Sequence, residues 1–139
     1  MVKIFKPGTI AIFLLMVFNV LNNHELHAQK GASNENSWIE HLKTANAKKL
    51  SSHFNELISI ELINEKGNFG KSHAIMLLSD FFKQHPADSI AIRQEGHAGA
   101  NNHFYIGDYF TQKTVLRLYV VSNLNQQNEY IHIFNITRK

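Results

Sequence analysis

The chain has 139 residues, no cysteine and a formal net charge of only +3. That length suits one domain with one core rather than two, and the missing cysteines exclude disulfides, thiol catalysis and thiolate metal sites. The positive excess comes from scattered lysines, Lys43 to Lys113 among them, without a nucleic-acid-binding motif, so no nucleic-acid partner is expected.

Residues 1–28 read as a secretory signal peptide. Lys3 and Lys6 precede an apolar run from Thr9 to Phe18, and Leu26-His27-Ala28 places a small residue before Gln29. The run is shorter than the roughly 20 residues that span a bilayer. The expectation is an exported chain, periplasmic or secreted, with no membrane insertion once the segment is removed, and a single domain over residues 29–139.

Gln29 to Ser33 is a small, polar leader, and Asn34 or Ser37 is suited to cap a helix. Trp38, Ile39, Leu42, Ala45, Leu50 and Phe54 recur at helical spacing, with a break near Asn46. Leu57 to Ile63 alternates as a half-buried strand does. Gly67 and Gly70 mark a turn, and Ser72 is placed to cap a helix whose apolar positions are Ala74, Ile75, Leu77, Leu78, Phe81 and Phe82. Pro86 stops that helix. Strands follow at Ser89–Glu95, His103–Thr111, Thr114–Val121 and Glu129–Arg138, with a loop at Gly96–Asn102 and a polar connection at Asn123–Asn128. The pattern predicts an α+β fold, with the N-terminal helices and one further helix packed on one face of an antiparallel sheet.

A two-residue turn at Gln112 and Lys113 predicts a register. Tyr109 faces Leu116, Gly107 faces Leu118, Tyr105 faces Val120, and Asp108 faces Arg117. The next hairpin is expected to set Leu118 against Ile133, Val120 against Ile131 and Tyr119 against His132. One face is then aliphatic, carrying Ile58, Ile60, Leu62, Ile90, Ile92, Leu116, Leu118, Val120, Ile131 and Ile133. The other carries Arg93, Phe104, Ile106, Asp108, Phe110, Arg117, Tyr119, Val121, Tyr130, His132 and Phe134, and is too aromatic for a face left in water. Arg117, Tyr119, Tyr130, His132 and Phe134 are therefore expected in a homodimer interface, or beneath a loop or the leader. Gly107, flanked by Tyr105 and Tyr109, predicts a bulge or a close approach. It makes a pocket for a small apolar ligand with those two tyrosines, Trp38 and Phe82, or it simply admits a bulky neighbour such as Trp38, Phe81 or Phe82.

Phe69-Gly70-Lys71-Ser72-His73-Ala74, Phe81-Phe82, Gly96, Tyr105-Ile106-Gly107 with Thr111, and Arg117-Leu118-Tyr119-Val120 together resemble a small exported bacterial family known only as a domain of unknown function, DUF4783. The likeness implies the nuclear-transport-factor-2-like or cystatin-like fold, in which helices cover a curved antiparallel sheet to form a cone. It implies no established activity. Phe69 and Gly70, and Thr114 before Val115, depart from that family's pattern.

Enzymes of that superfold place a carboxylate or a His in the cone. Here Asp80 sits on a helix edge, Asp88 in a turn and Asp108 on the outer face, so no catalytic residue is assigned. His97 and His103 bracket the glycine-rich loop, and a metal site would need a third ligand such as Glu95 or His53. No metal-binding spacing, nucleophile elbow, phosphate loop or dinucleotide fingerprint occurs, and no metal or cofactor is expected. Asn135-Ile136-Thr137 fits a glycosylation acceptor inside a predicted strand. The resulting expectation is an exported, non-catalytic binding module that holds a small apolar ligand in the cone or self-associates through its sheet face. The alternative is a small isomerase- or hydrolase-like enzyme using the same cone.

Overall fold

A computed structural model describes residues 37–139, and these belong to one compact unit. The expected signal peptide and leader lie outside the described residues. None of the described helices is long and apolar enough to cross a membrane.

Helix α1 (Ser37–Lys43) buries Trp38 and Leu42. Ala45 then takes a left-handed φ of 54° and breaks the helix. The Asn46 side chain accepts a 2.9 Å hydrogen bond from the Lys49 N–H and caps α2 (Ala47–Ser51), which accounts for the predicted break. Five residues cannot sustain a helix alone; burial of Ala47 and Leu50 holds it. Strand β1 (Phe54–Glu61) begins at Phe54, although the helical spacing of the sequence includes that residue. The expected Gly67–Gly70 turn is strand β2 (Lys66–Gly70), paired antiparallel with β1. Helix α3 (Lys71–Gln84) starts one residue before Ser72, so Gly70 is its N-cap and Ser72 is not. It buries Ala74, Leu78, Phe81 and Phe82 and ends at Gln84, with His85 as its C-cap ahead of Pro86.

Four long strands complete the chain: β3 (Ser89–Ala98), β4 (Asn102–Phe110), β5 (Val115–Asn125) and β6 (Asn128–Arg138). The expected Gly96–Asn102 loop shrinks to a turn with Gly99 at φ 74°, because Gly96 and His97 pair with Phe104 and His103. The sheet order is β2-β1-β6-β5-β4-β3. All neighbours are antiparallel except β1 and β6, which run parallel. The sheet is therefore mixed, since β6 returns beside β1 after a long crossover rather than a hairpin.

The β4–β5 register is the expected one, with Tyr105 opposite Val120, Gly107 opposite Leu118 and Asp108 opposite Arg117. The β5–β6 register is not. Leu118 pairs with Ile136, Val120 with Phe134 and Tyr119 with Asn135. Two causes add. The strands run on through the polar residues to Asn125 and resume at Asn128, and β6 carries an extra residue, His132, between Ile133 and Ile131. Ile131 thus points inward as expected, whereas beyond the bulge the parity reverses. Phe134 and Ile136 enter the core, and the half-buried Ile133 takes the outer side. Phe134 is therefore corrected from an interface candidate to a core residue, in ring contact with Phe54 at 5.9 Å.

Candidate functional site

The inward parity of β4 sends Tyr105, Gly107 and Tyr109 beneath the helices, as the alternation requires. All three are closely packed. Tyr105 and Tyr109 are among the largest fully buried side chains, and Trp38 and Phe82 share their core. Trp38 meets Tyr105 edge-on at 5.2 Å, and Phe81 meets Tyr109 at 5.9 Å. The Tyr109 hydroxyl donates to the His85 carbonyl at 2.6 Å, and burial pushes its pKa well above the usual tyrosine value. At Gly107 the close approach comes from backbone. A Cβ there would lie 2.4 Å from the Ala91 oxygen and 3.2 Å from the Ile92 Cα. That segment of β3 pairs directly with Gly107 through Ile92, just before the register shift between Ile92 and Gln94.

Polar groups gather instead where the inward rows of β4, β5 and β6 leave the core. Next inward from Tyr105 along β4 is His103; on β6 the residue beyond Ile131 is Glu129; on β5 the residue beyond Val120 is Ser122. The Tyr105 hydroxyl lies 3.1 Å from His103 Nδ1, and Glu129 Oε1 lies 3.6 Å from the same nitrogen. Ser122 Oγ donates to Glu129 Oε1 and also lies 3.3 Å from the His103 carbonyl. The His97 and His103 rings stack at 4.6 Å, and the His103 and Tyr105 rings lie 4.4 Å apart. His103 and Glu129 stay reachable, with side-chain exposures of 24% and 29%. Beside them His53 packs 5.4 Å from His41, with Ser37 Oγ 3.4 Å from its Nε2.

Sequence reasoning paired His97 with His103, and they do meet, across a ladder rather than a loop. It missed Glu129, which joins His103 in place of Glu95 or His53. The signal was present: Glu129 shares the parity of Ile131. Among the described residues no group of three or more His, Asp or Glu is arranged to hold a metal. A serine nucleophile is not prepared here either. The Ser122 hydroxyl faces a carboxylate and a carbonyl rather than an imidazole, and Ser122 is only 1% exposed. What the cluster offers chemically is a flat imidazole pair with a carboxylate acceptor at its edge.

On the outer face the expected Asp108–Arg117 register holds, but the ion pair does not form. Asp108 takes Lys139 Nζ at 2.7 Å and Arg93 Nε at 3.0 Å. Hydrogen bonds from Lys139 and Arg93 hold its carboxyl below the usual aspartate value.

Burial lowers the His53 pKa below its usual 6.5; His41 pushes it the same way, and Glu129 opposes them. The folded protein therefore keeps His53 neutral where the unfolded chain already takes up protons. Its stability contribution is fully present above pH 6.5 and is lost as the pH falls through the folded-state value. The urea midpoint is expected to drop between about pH 7 and about pH 5, with a shallower drop in His53→Gln. Equal slopes for the two proteins would remove His53 as the cause.

A family model described as a domain of unknown function, DUF4783, matches residues 36–137. A DUF4783 family protein from Bacteroides uniformis is similar in structure, with a TM-score of 0.69 at 20% identity over 77% of this chain and 98% of that one. A cystatin-like domain of unknown function from Nostoc punctiforme gives a TM-score of 0.57 at 10% identity, over 73% of this chain and 70% of that one. An NTF2-like protein of unknown function from Cytophaga hutchinsonii gives 0.51 at 13% identity, over 71% and 80%. No curated protein matches the chain at a significant level.

Proposed function

This chain belongs to the DUF4783 family of unknown function, and on that footing we propose that it is an exported, non-catalytic binding module whose ligand seat is the rim of the cone at His97, His103 and Glu129. The supporting observation is the environment of His103, which stacks on His97, meets the Tyr105 hydroxyl and faces Glu129. The packed interior around Tyr105, Gly107 and Tyr109 moves the seat outward from the cone centre. A stacked imidazole pair takes a planar ring, and a carboxylate edge takes a hydrogen-bond donor. The ligand is thus a small planar molecule with one donor group. Trp38, the single tryptophan of the chain, lies against Tyr105 and reports on its occupation.

Imidazole and benzamidine serve as probes. A saturable change in Trp38 emission is expected, weakened about tenfold or more by Glu129→Gln through loss of a charge-assisted hydrogen bond. A flat titration with both probes, or equal affinity in the variant, would remove the seat. Export is tested separately: expression with residues 1–28 present should place the shortened protein outside the cytoplasm.

A second reading, self-association through the outer sheet face, draws on the half-buried apolar row of Phe104, Ile106, Phe110, Val115, Tyr119 and Ile133. An interface centre of this kind is richer in aromatic and aliphatic groups than a solvated surface. Light scattering is expected to give a dimer mass that Tyr119→Asp halves without unfolding the chain. A monomer at high concentration, unaltered by that substitution, would end this reading.

A further inference from the structure

Outward parity at the β5–β6 hairpin end of the sheet assembles a second set of polar groups, on the opposite face from the rim. Asn123 and Asn125 on β5, Tyr130 and His132 on β6, and Asn55 on β1 line a depression of about 270 Å³. Alternation from Tyr130 through the inward Ile131 puts His132 on this same side. None of the five carries a formal charge at neutral pH when the histidine is neutral.

The hydrogen-bonding capacity of this depression is only partly used. Asn55 Oδ1 accepts from the Glu56 N–H at 3.0 Å, which leaves its NH₂ group. Asn123 Nδ2 donates to Asn102 Oδ1 at 2.9 Å, which leaves its carbonyl. The side chains of Asn125 and Tyr130 form no hydrogen bond among the described residues. Among the described residues His132 Nδ1 is buried without a hydrogen-bond partner. That nitrogen has no accessible surface, so the free capacity open to a ligand lies on the Asn55, Asn123 and Asn125 amides and the Tyr130 hydroxyl.

We infer that this depression binds a neutral sugar ring, presented free or within a glycan. Amides both donate and accept, as sugar hydroxyls do, so a set of three matches an array of hydroxyls without any charge to neutralise. An anionic ligand would call for Arg or Lys in the lining, and a cation for carboxylates; neither is present among the described lining residues. The polar lining disfavours an aliphatic molecule. The volume lies just below the range of about 300–1,000 Å³ for drug-sized ligands, so one ring fits and the rest of a chain lies in solvent. The Tyr130 ring supplies an apolar wall for the C–H side of the sugar, with its hydroxyl as a polar handle.

The test uses residues 29–139, the form expected after export. Glucose, mannose, galactose and N-acetylglucosamine are titrated separately, with glucuronate as the charged control. Side-chain amide signals of Asn55, Asn123 and Asn125 are followed by two-dimensional NMR. At least one neutral sugar should give saturable shifts at these amides. Asn125→Ala, at an exposed hairpin end, should weaken that binding about tenfold with the remaining spectrum unchanged, and Tyr130→Ala should abolish it. Absence of saturable shifts with all four neutral sugars overturns the inference. So does binding of glucuronate alone, or binding that both variants leave intact. Shifts at these amides that follow protein concentration without sugar assign the surface to a second copy of the chain, and also overturn it.

Discussion

Phe134→Ala is expected to destabilise the fold by about 3–5 kcal/mol, the range for deleting a fully buried ring. Phe134 is completely inaccessible, pairs with Val120 on β5 and meets the Phe54 ring at 5.9 Å. The comparison that gives the number its meaning is Ile133→Ala. Ile133 lies on the opposite side of β6 and is only half-buried, so its truncation is expected to cost about 1 kcal/mol or less. A register without the His132 bulge exchanges the two residues and reverses the order of the effects. Urea melts of both variants decide the matter. A larger loss at Ile133 than at Phe134 would show that the bulge is absent and that the strand faces the other way.

Gly107→Ala has the second-largest expected effect. The new methyl would sit 2.4 Å from the Ala91 carbonyl oxygen, and backbone on a paired strand cannot rotate out of the way as a side-chain tip can. Either β3 moves off β4 locally or the bulge between Ile92 and Gln94 slides. Overpacking of this kind costs about 2–3 kcal/mol. For a domain of about 100 residues this lowers the melting temperature by roughly 10–20 °C. Gly96→Ala provides the contrast. The nearest atoms there belong to the Phe104 ring, at 3.0 and 3.1 Å, which has room to turn toward solvent. A Gly107→Ala protein that melts with the wild type would mean that β3 does not approach β4 as closely as described.

The missing Asp108–Arg117 ion pair has a simple physical origin. Directly opposed residues share a side of the sheet, but charged tips choose among all partners within reach. Arg93 and Lys139 reach the carboxylate from the neighbouring strand and from the chain end. Pairs of this kind contribute about 0–1 kcal/mol, and neither partner belongs to β5, so they do not set its register with β4. The β4–β5 alignment rests instead on the short turn and on the buried inward row of Tyr105, Tyr109, Leu116, Leu118 and Val120.

Alternation in β1, β4 and β5 was legible from residue order alone, because a period of two is a local property and one wrong parity would bury charges. The break at Asn46, the end of α3 before Pro86, the two-residue turn and the inward placement of Tyr105, Gly107 and Tyr109 all follow from such local chemistry, and with them the α+β class. Three features needed the folded chain. A bulge at His132 depends on how two long strands twist past each other, and nothing in Ile131-His132-Ile133 announces it. The parallel pairing of β1 with β6 joins segments separated by most of the domain. The meeting of His53, His97, His103 and Glu129 draws on three strands and the connection before a fourth, whose relative placement is set by the shared core beneath them rather than by any preference of those four residues.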